Sequence, residues 1–195
     1  MGTTTKMAIP YPEATGLVKD GWEDMKDIAT QVDAKSGLVL LNTTSFSAQS
    51  SVSVSNFTTA SYSKYRIVIS ATGSVGGANL RFRFRENTTD KATGYYGAAG
   101  YARYQTTFAL YTNENNGTFC ILTGLDTSQQ ATVSLDFNKP VATQGIITGN
   151  AFEGSLYAGI FMGFINVSMT DVTGFTIYPS TGTMTGKVSV FGYNE

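Results

Sequence analysis

The chain has 195 residues, 13 basic and 14 acidic side chains, one cysteine and no histidine. A net charge of −1 gives no overall field that would draw in nucleic acid or an anionic membrane, so neither is an expected partner. The missing histidine excludes Ser-His-Asp and Cys-His nucleophilic sites and removes the commonest zinc and non-haem iron ligand, so no cofactor or metal is expected.

Charge is spread unevenly: residues 1–36 carry 10 of the 27 charged side chains and the other 159 positions carry 17. The chain therefore reads as an N-terminal segment over 1–36 and a body over 37–195. Residues 1–12 end in IPYP, where Pro10 and Pro12 hold Ile9 and Tyr11 extended, which makes this stretch a strap. The first 15 residues lack an apolar core, so no secretory signal is expected. The longest apolar stretch, Ala158 to Ile165, is too short to span a bilayer, and no membrane insertion is expected.

From Thr15 onward, Val18, Trp22, Met25, Ala29 and Val32 recur at helical spacing, with Leu17 and Ile28 beside them and acids and lysines on the other faces. The pattern predicts a short amphipathic helix over about 16–35, with Thr15 as N-cap and Gly37 as its stop. The stripe either packs on its own body or forms a seam against other chains. Two heptads fall short of the three or four that define a coiled coil, and Gly21 costs about 1 kcal/mol against Ala. A helix this weak needs burial to form, and Trp22 is bulky enough to anchor a contact. Leu17, Val18, Trp22, Met25, Ile28, Ala29 and Val32 are thus the candidate attachment and oligomerisation residues.

After Leu38 the pattern changes to period two. Leu80 to Arg85 alternates apolar and arginine side chains, and Tyr65 to Ile69, Thr132 to Phe137, Phe175 to Tyr178 and Lys187 to Phe191 alternate similarly. Ser155 to Ile165 is apolar on both faces, which suits an interior strand. The runs flanking TNENNG predict a hairpin turning at Asn116-Gly117. Eight or nine short strands without intervening helices predict a mainly β protein, an antiparallel β-sandwich or jelly roll preceded by the extended arm and one helix. Cys120, in TFCIL, reads as a buried small apolar residue.

Two surfaces are candidates for binding. Arg81, Arg83 and Arg85 place guanidinium groups about 6–7 Å apart on one face of a strand, suited to acidic sugars or a neighbour's carboxylates, or else to cross-strand pairing with acids such as Asp136 or Glu153. GYYGAAGYARY sets Tyr95, Tyr96, Tyr101 and Tyr104 among small residues, which predicts amphipathic rings on a loop, either as a contact surface or folded over the sandwich edge. Carboxylates are the remaining source of catalysis. The body offers eight, Asp126 and Glu153 among them, but no linear spacing selects a pair of the kind glycan hydrolysis requires.

The stretch YPEATGLVKDGWEDMKDIATQVDA resembles the opening of tailed-bacteriophage structural proteins, in which a proline-containing strap precedes an LVKDG element, here Leu17 to Gly21, and a short helix ending at Asp33-Ala34. STGTMTGKVSVFGYNE, residues 180–195, is similar to the closing strand of small β-sandwich modules in phage tails, fibres and head appendages. The resemblance implies a non-enzymatic virion protein assembled in the host cytoplasm. It would be a homo-oligomer, commonly a trimer, attached through its N-terminus to capsid or tail proteins. Its β body would face host glycans or neighbouring subunits. Capsid decoration is the alternative within that class, and a glycan depolymerase using paired carboxylates the alternative outside it.

Overall fold

The computed structural model describes residues 2–3, 10–11, 23, 25–30, 37–58, 62–103, 109–138, 145–153, 157–165 and 172–193. Two compact units are present, Met1–Val39 with Tyr193–Glu195, and Leu40–Gly192. In the first, β1 (Gly2–Thr3) pairs antiparallel with β2 (Pro10–Tyr11), as an extended strap permits. The same unit has a helix, α1, over 25–30, within the span that the apolar stripe predicts.

Alternation in the body becomes two antiparallel sheets. The smaller has the order β10 (Cys120–Leu125), β6 (Ala78–Glu86), β14 (Gly174–Pro179), β4 (Val52–Ser55), with β7 (Thr89–Asp90) paired to β6. The larger has eight strands. It begins with β3 (Leu38–Gln49), β15 (Met184–Tyr193), β5 (Lys64–Gly73) and β11 (Ala131–Asn138). It continues with β12 (Gly145–Glu153), β13 (Tyr157–Ile165), β8 (Tyr95–Arg103) and β9 (Ala109–Gly117). The protein is mainly β, a sandwich, and β13 is an interior strand as its apolar run implied.

The core lies between the sheets because every second side chain of the long strands points inward. Tyr65, Ile67 and Ile69 of β5 and Val133, Leu135 and Phe137 of β11 face Leu80, Phe82 and Phe84 of β6 and Phe175 and Ile177 of β14, all buried. Rings bind the layers together: Phe137 stacks on Tyr65 at 5.0 Å within its own sheet and meets Phe84 of the other at 5.8 Å. Phe57 contacts Tyr65, Phe137 and Phe175. Such pairs add about 0.5–1.5 kcal/mol each beyond burial. Gly149 is required by close approach, since a Cβ there would lie 2.3 Å from the Ser134 carbonyl oxygen and 2.6 Å from the Phe161 ring.

Three expectations are corrected. The described residues contain thirteen strands after position 37, more than the eight or nine expected, because β4 and β7 are only four and two residues long and β8 and β12 lack clear alternation in sequence. GYYGAAGYARY is not a loop: Tyr95 to Arg103 form β8, in unbroken register with β13 from Tyr95 opposite Ile165 to Arg103 opposite Tyr157. The Asn116-Gly117 hairpin is absent. Asn116 does take a positive φ of 55°, but the chain uses it to leave the eight-stranded sheet, where β9 pairs β8, and enter the other, where Cys120 pairs Phe82. The crossing carries Cys120 and Leu122 into the core.

Candidate functional site

The alternation of β6 sends Phe82 and Phe84 into the core and Arg81, Arg83 and Arg85 to the outer face of the five-stranded sheet. There β14 runs beside β6 with Tyr178 opposite Arg81 and Thr176 opposite Arg83. The Arg81 guanidinium lies 4.0 Å from the centre of the Phe119 ring, and the Arg83 guanidinium 5.0 Å from that of Tyr178. The two rings meet edge to face at 6.4 Å. Arg83 Nε also donates to the Thr118 carbonyl at 2.8 Å. Cations and rings therefore interleave across β6, β14 and the bend that leads into β10. Each contact contributes about 0.5–1 kcal/mol where solvent reaches it, and each fixes the plane of a guanidinium.

Arg85 is spent differently. Its Nη1 donates to Asp90 Oδ1 at 2.7 Å, Ser53 Oγ at 2.7 Å and Thr176 Oγ1 at 2.9 Å, and its Nη2 donates to the Thr88 carbonyl. Thr176, a buried polar residue, also donates to Asp90 at 2.7 Å. This network engages both terminal nitrogens of Arg85 and makes it a structural residue, although its Nε, like that of Arg81, is buried without an acceptor. No carboxylate among the described residues pairs with Arg81 or Arg83, and Arg81 Nε is buried without a hydrogen-bond acceptor. The acids expected opposite the row are engaged elsewhere. Asp136 takes Arg66 in a two-bond pair, 2.9 Å for each, and Glu153 lies against Gly124.

Tyr95 and Tyr96 do not join this face. Tyr95 is corrected from a surface candidate to a core residue, 0% exposed, because its position on β8 faces inward. Its phenol accepts the Phe84 N–H at 2.8 Å and donates to the Lys91 carbonyl at 3.0 Å, and burial holds it in the neutral form far above the usual phenol range. Tyr96 is half-buried on the outer face of the eight-stranded sheet. Tyr101 is a β8 residue whose side chain lies outside the described residues, as does all of Tyr104. Tyr95 and Tyr96 thus belong to a different sheet from the arginine row. Of the attachment residues, Leu17, Val18, Trp22 and Val32 lie outside the described residues. Met25, Ile28 and Ala29 are on α1, with Met25 and Ala29 exposed and Ile28 half-buried.

A carboxylate pair emerges that spacing alone did not select. Gly124 of β10 leaves room for Glu153: a Cβ there would stand 2.1 Å from Glu153 Oε2. Burial raises the Glu153 carboxyl above its ordinary range, and the charge of Asp126 raises it further. Asp126 is held below its range by the N–H and hydroxyl of Ser128, at 2.7 and 2.8 Å. Among the described residues no group of three or more His, Cys, Asp or Glu side chains could hold a metal ion.

Phe119, Tyr178 and Thr176 were missed from sequence. Tyr178 was visible only as a member of an alternating run; its position opposite Arg81 depends on pairing of strands almost a hundred residues apart.

No protein family matches the chain, and no curated protein is similar to it in sequence. Among solved structures, galectin LEC-6 of Caenorhabditis elegans aligns over 80% of this chain and 96% of its own, at 10% identity and a TM-score of 0.35. The alginate lyase Aly36B aligns over 66% of this chain and 69% of its own, at 10% identity and a TM-score of 0.26. Scores this low carry no functional weight, and the sandwich rests on its own strand pairing and core.

Proposed function

We propose that this chain is a non-enzymatic virion protein of a tailed phage, attached to the particle through residues 1–36, whose sandwich binds anionic groups on the Arg81–Arg83 face. The observation that carries the binding reading is the pair of guanidinium groups held on Phe119 and Tyr178 with no carboxylate paired to them among the described residues. A guanidinium stacked on a ring has already lost most of its rotational freedom, so binding a carboxylate or sulfate orders little more. The neighbouring rings offer apolar faces to sugar C–H groups. The ligand class is an acidic glycan of the host surface. Attachment and oligomerisation, as a trimer, rest on the resemblance of the N-terminal stretch and its Trp22 stripe. Capsid decoration remains the alternative role for the same attached particle protein.

Calorimetric titration of the full chain with an oligouronate and with a neutral oligosaccharide of equal length tests the binding. The expected result is uptake of the oligouronate alone, weakened at least tenfold by Arg81→Gln or Arg83→Gln and by added salt, with a melting temperature lowered by no more than the few degrees that losing the ring contact implies. Equal binding of both sugars, or indifference to the two substitutions, overturns it. Particles assembled with a chain lacking residues 1–36 test attachment, and normal incorporation would refute it. A second reading, glycan cleavage, is favoured by the opposed pKa shifts of Glu153 and Asp126. Cleavage products that vanish in Glu153→Gln would establish that reading in place of the first.

A further inference from the structure

The outer face of the eight-stranded sheet is apolar where β12, β13 and β8 lie side by side. Met162 of β13 stands between Thr148 and Ala98, Ile160 between Asn150 and Gly100, and Ala158 between Phe152 and Ala102. None of the described outward positions on these three strands is charged, whereas β11 and β5 next to them carry the Asp136–Arg66 pair. Sheet faces left to solvent normally alternate apolar-in with polar-out, so this run of strands departs from the rule within one sheet. Ile146, Phe152, Ile160 and Met162 are 47%, 54%, 56% and 61% exposed, which at about 200 Å² per large side chain leaves roughly 430 Å² of apolar surface open. That is the size of the largest patch on a typical monomer, ~300–600 Å², and lack of charge is the mark of an interface centre.

We infer that this face is a contact between two copies of the chain. The relief is self-complementary. Ile160 and Met162 form a ridge along β13, and Ala98, Gly100 and Ala102 form a trough beside it along β8. A two-fold axis through the patch sets the ridge of each copy into the trough of the other, as sheets pack face to face at about 10 Å. Two such patches with the small and uncharged residues between them remove on the order of 1,000 Å² from water, which reaches the size a specific interface needs. The contact is independent of the Arg81–Arg83 face on the opposite sheet.

Sedimentation equilibrium of the full chain gives a direct test. The wild type is expected above the 20.8 kDa chain mass, and Met162→Glu or Ile160→Lys is expected to halve the wild-type mass while Trp22→Ala does not. Both charged variants alter solvent-facing side chains, so their melting temperatures should match the wild type. If either fails to fold, Met162→Gln tests the same contact through a smaller shift towards the lower mass. A wild type that stays at the chain mass up to about 200 μM, far above the dissociation constants of specific interfaces, overturns the inference. So does a wild-type mass that both charged variants leave unchanged, whether or not Trp22→Ala lowers it. Loss of oligouronate binding with the oligomer intact would strike the glycan reading alone.

Discussion

Replacing Tyr95 by Phe removes one oxygen from the seam between the two sheets and leaves the ring in place. That oxygen fills a gap in strand pairing. The Lys91 N–H donates to the Phe84 carbonyl at 2.9 Å, and the returning bond from the Phe84 N–H reaches Lys91 only by way of the phenol, at 2.8 and 3.0 Å. In Tyr95→Phe two neutral bonds worth about 1 kcal/mol each are lost, and the Phe84 N–H is stranded at a cost of about 1–3 kcal/mol, partly offset because the buried hydroxyl no longer needs desolvating. The net expectation is a loss of about 2 kcal/mol, or roughly 4–8 °C in melting temperature for a chain of this length. Urea unfolding followed by circular dichroism should show a lower midpoint at constant slope. A surface-contact role for Tyr95 makes the opposite demand, lost ligand binding with unaltered stability. A midpoint equal to the wild type would refute the bridging account.

Phe137→Ala should cost about 3–5 kcal/mol, because the ring touches Phe57, Tyr65 and Phe84 across both layers; calorimetry reads it as a drop of roughly 6–20 °C. Glu153→Gln should raise the melting temperature at neutral pH. The folded pKa of Glu153 is raised, so its contribution is fully present below the unfolded value and is lost as pH climbs through the folded one; the two proteins should therefore converge near pH 4. Asp126 acts with the opposite sign, because its folded pKa is lowered: its contribution is present above the usual carboxyl range and lost in acid, so Asp126→Asn should destabilise at pH 7 and not at pH 2, as melting curves at the two pH values will show. Asp136→Ala should cost no more than about 1 kcal/mol, since its partner Arg66 and the carboxylate itself are both partly exposed, and chemical denaturation resolves that small shift.

What sequence revealed, and what it hid, follows from where the polarity lies. β6 was legible because its alternate positions are Phe and Arg, which no single environment satisfies. β8 was not, because Gly, Ala and Tyr carry too little contrast for period two to show, and only the register with β13 decides which ring is buried. In β13 the described outward positions are themselves apolar, as are Ile146 and Phe152 of β12, so alternation blurs where the sheet has an unusual face. Asn116-Gly117 gave the right backbone angle and the wrong connection, since a hairpin and a change of sheet ask for the same positive φ. The arginine row was visible as a row. Its division into an Arg85 paired with Asp90 and two stacked cations was not, because Phe119, Tyr178, Asp90 and Thr176 reach it from other parts of the chain.

Cys120, the chain's only thiol, is sealed in the core beside Gly163, where a Cβ would come within 2.8 Å of its sulfur. A thiol reagent can reach it only while the layers part, so its alkylation rate is a clock for opening events. With one sulfur there is one signal. Ligands that hold the sandwich shut, whichever face they occupy, would slow that clock by the factor they add to its stability.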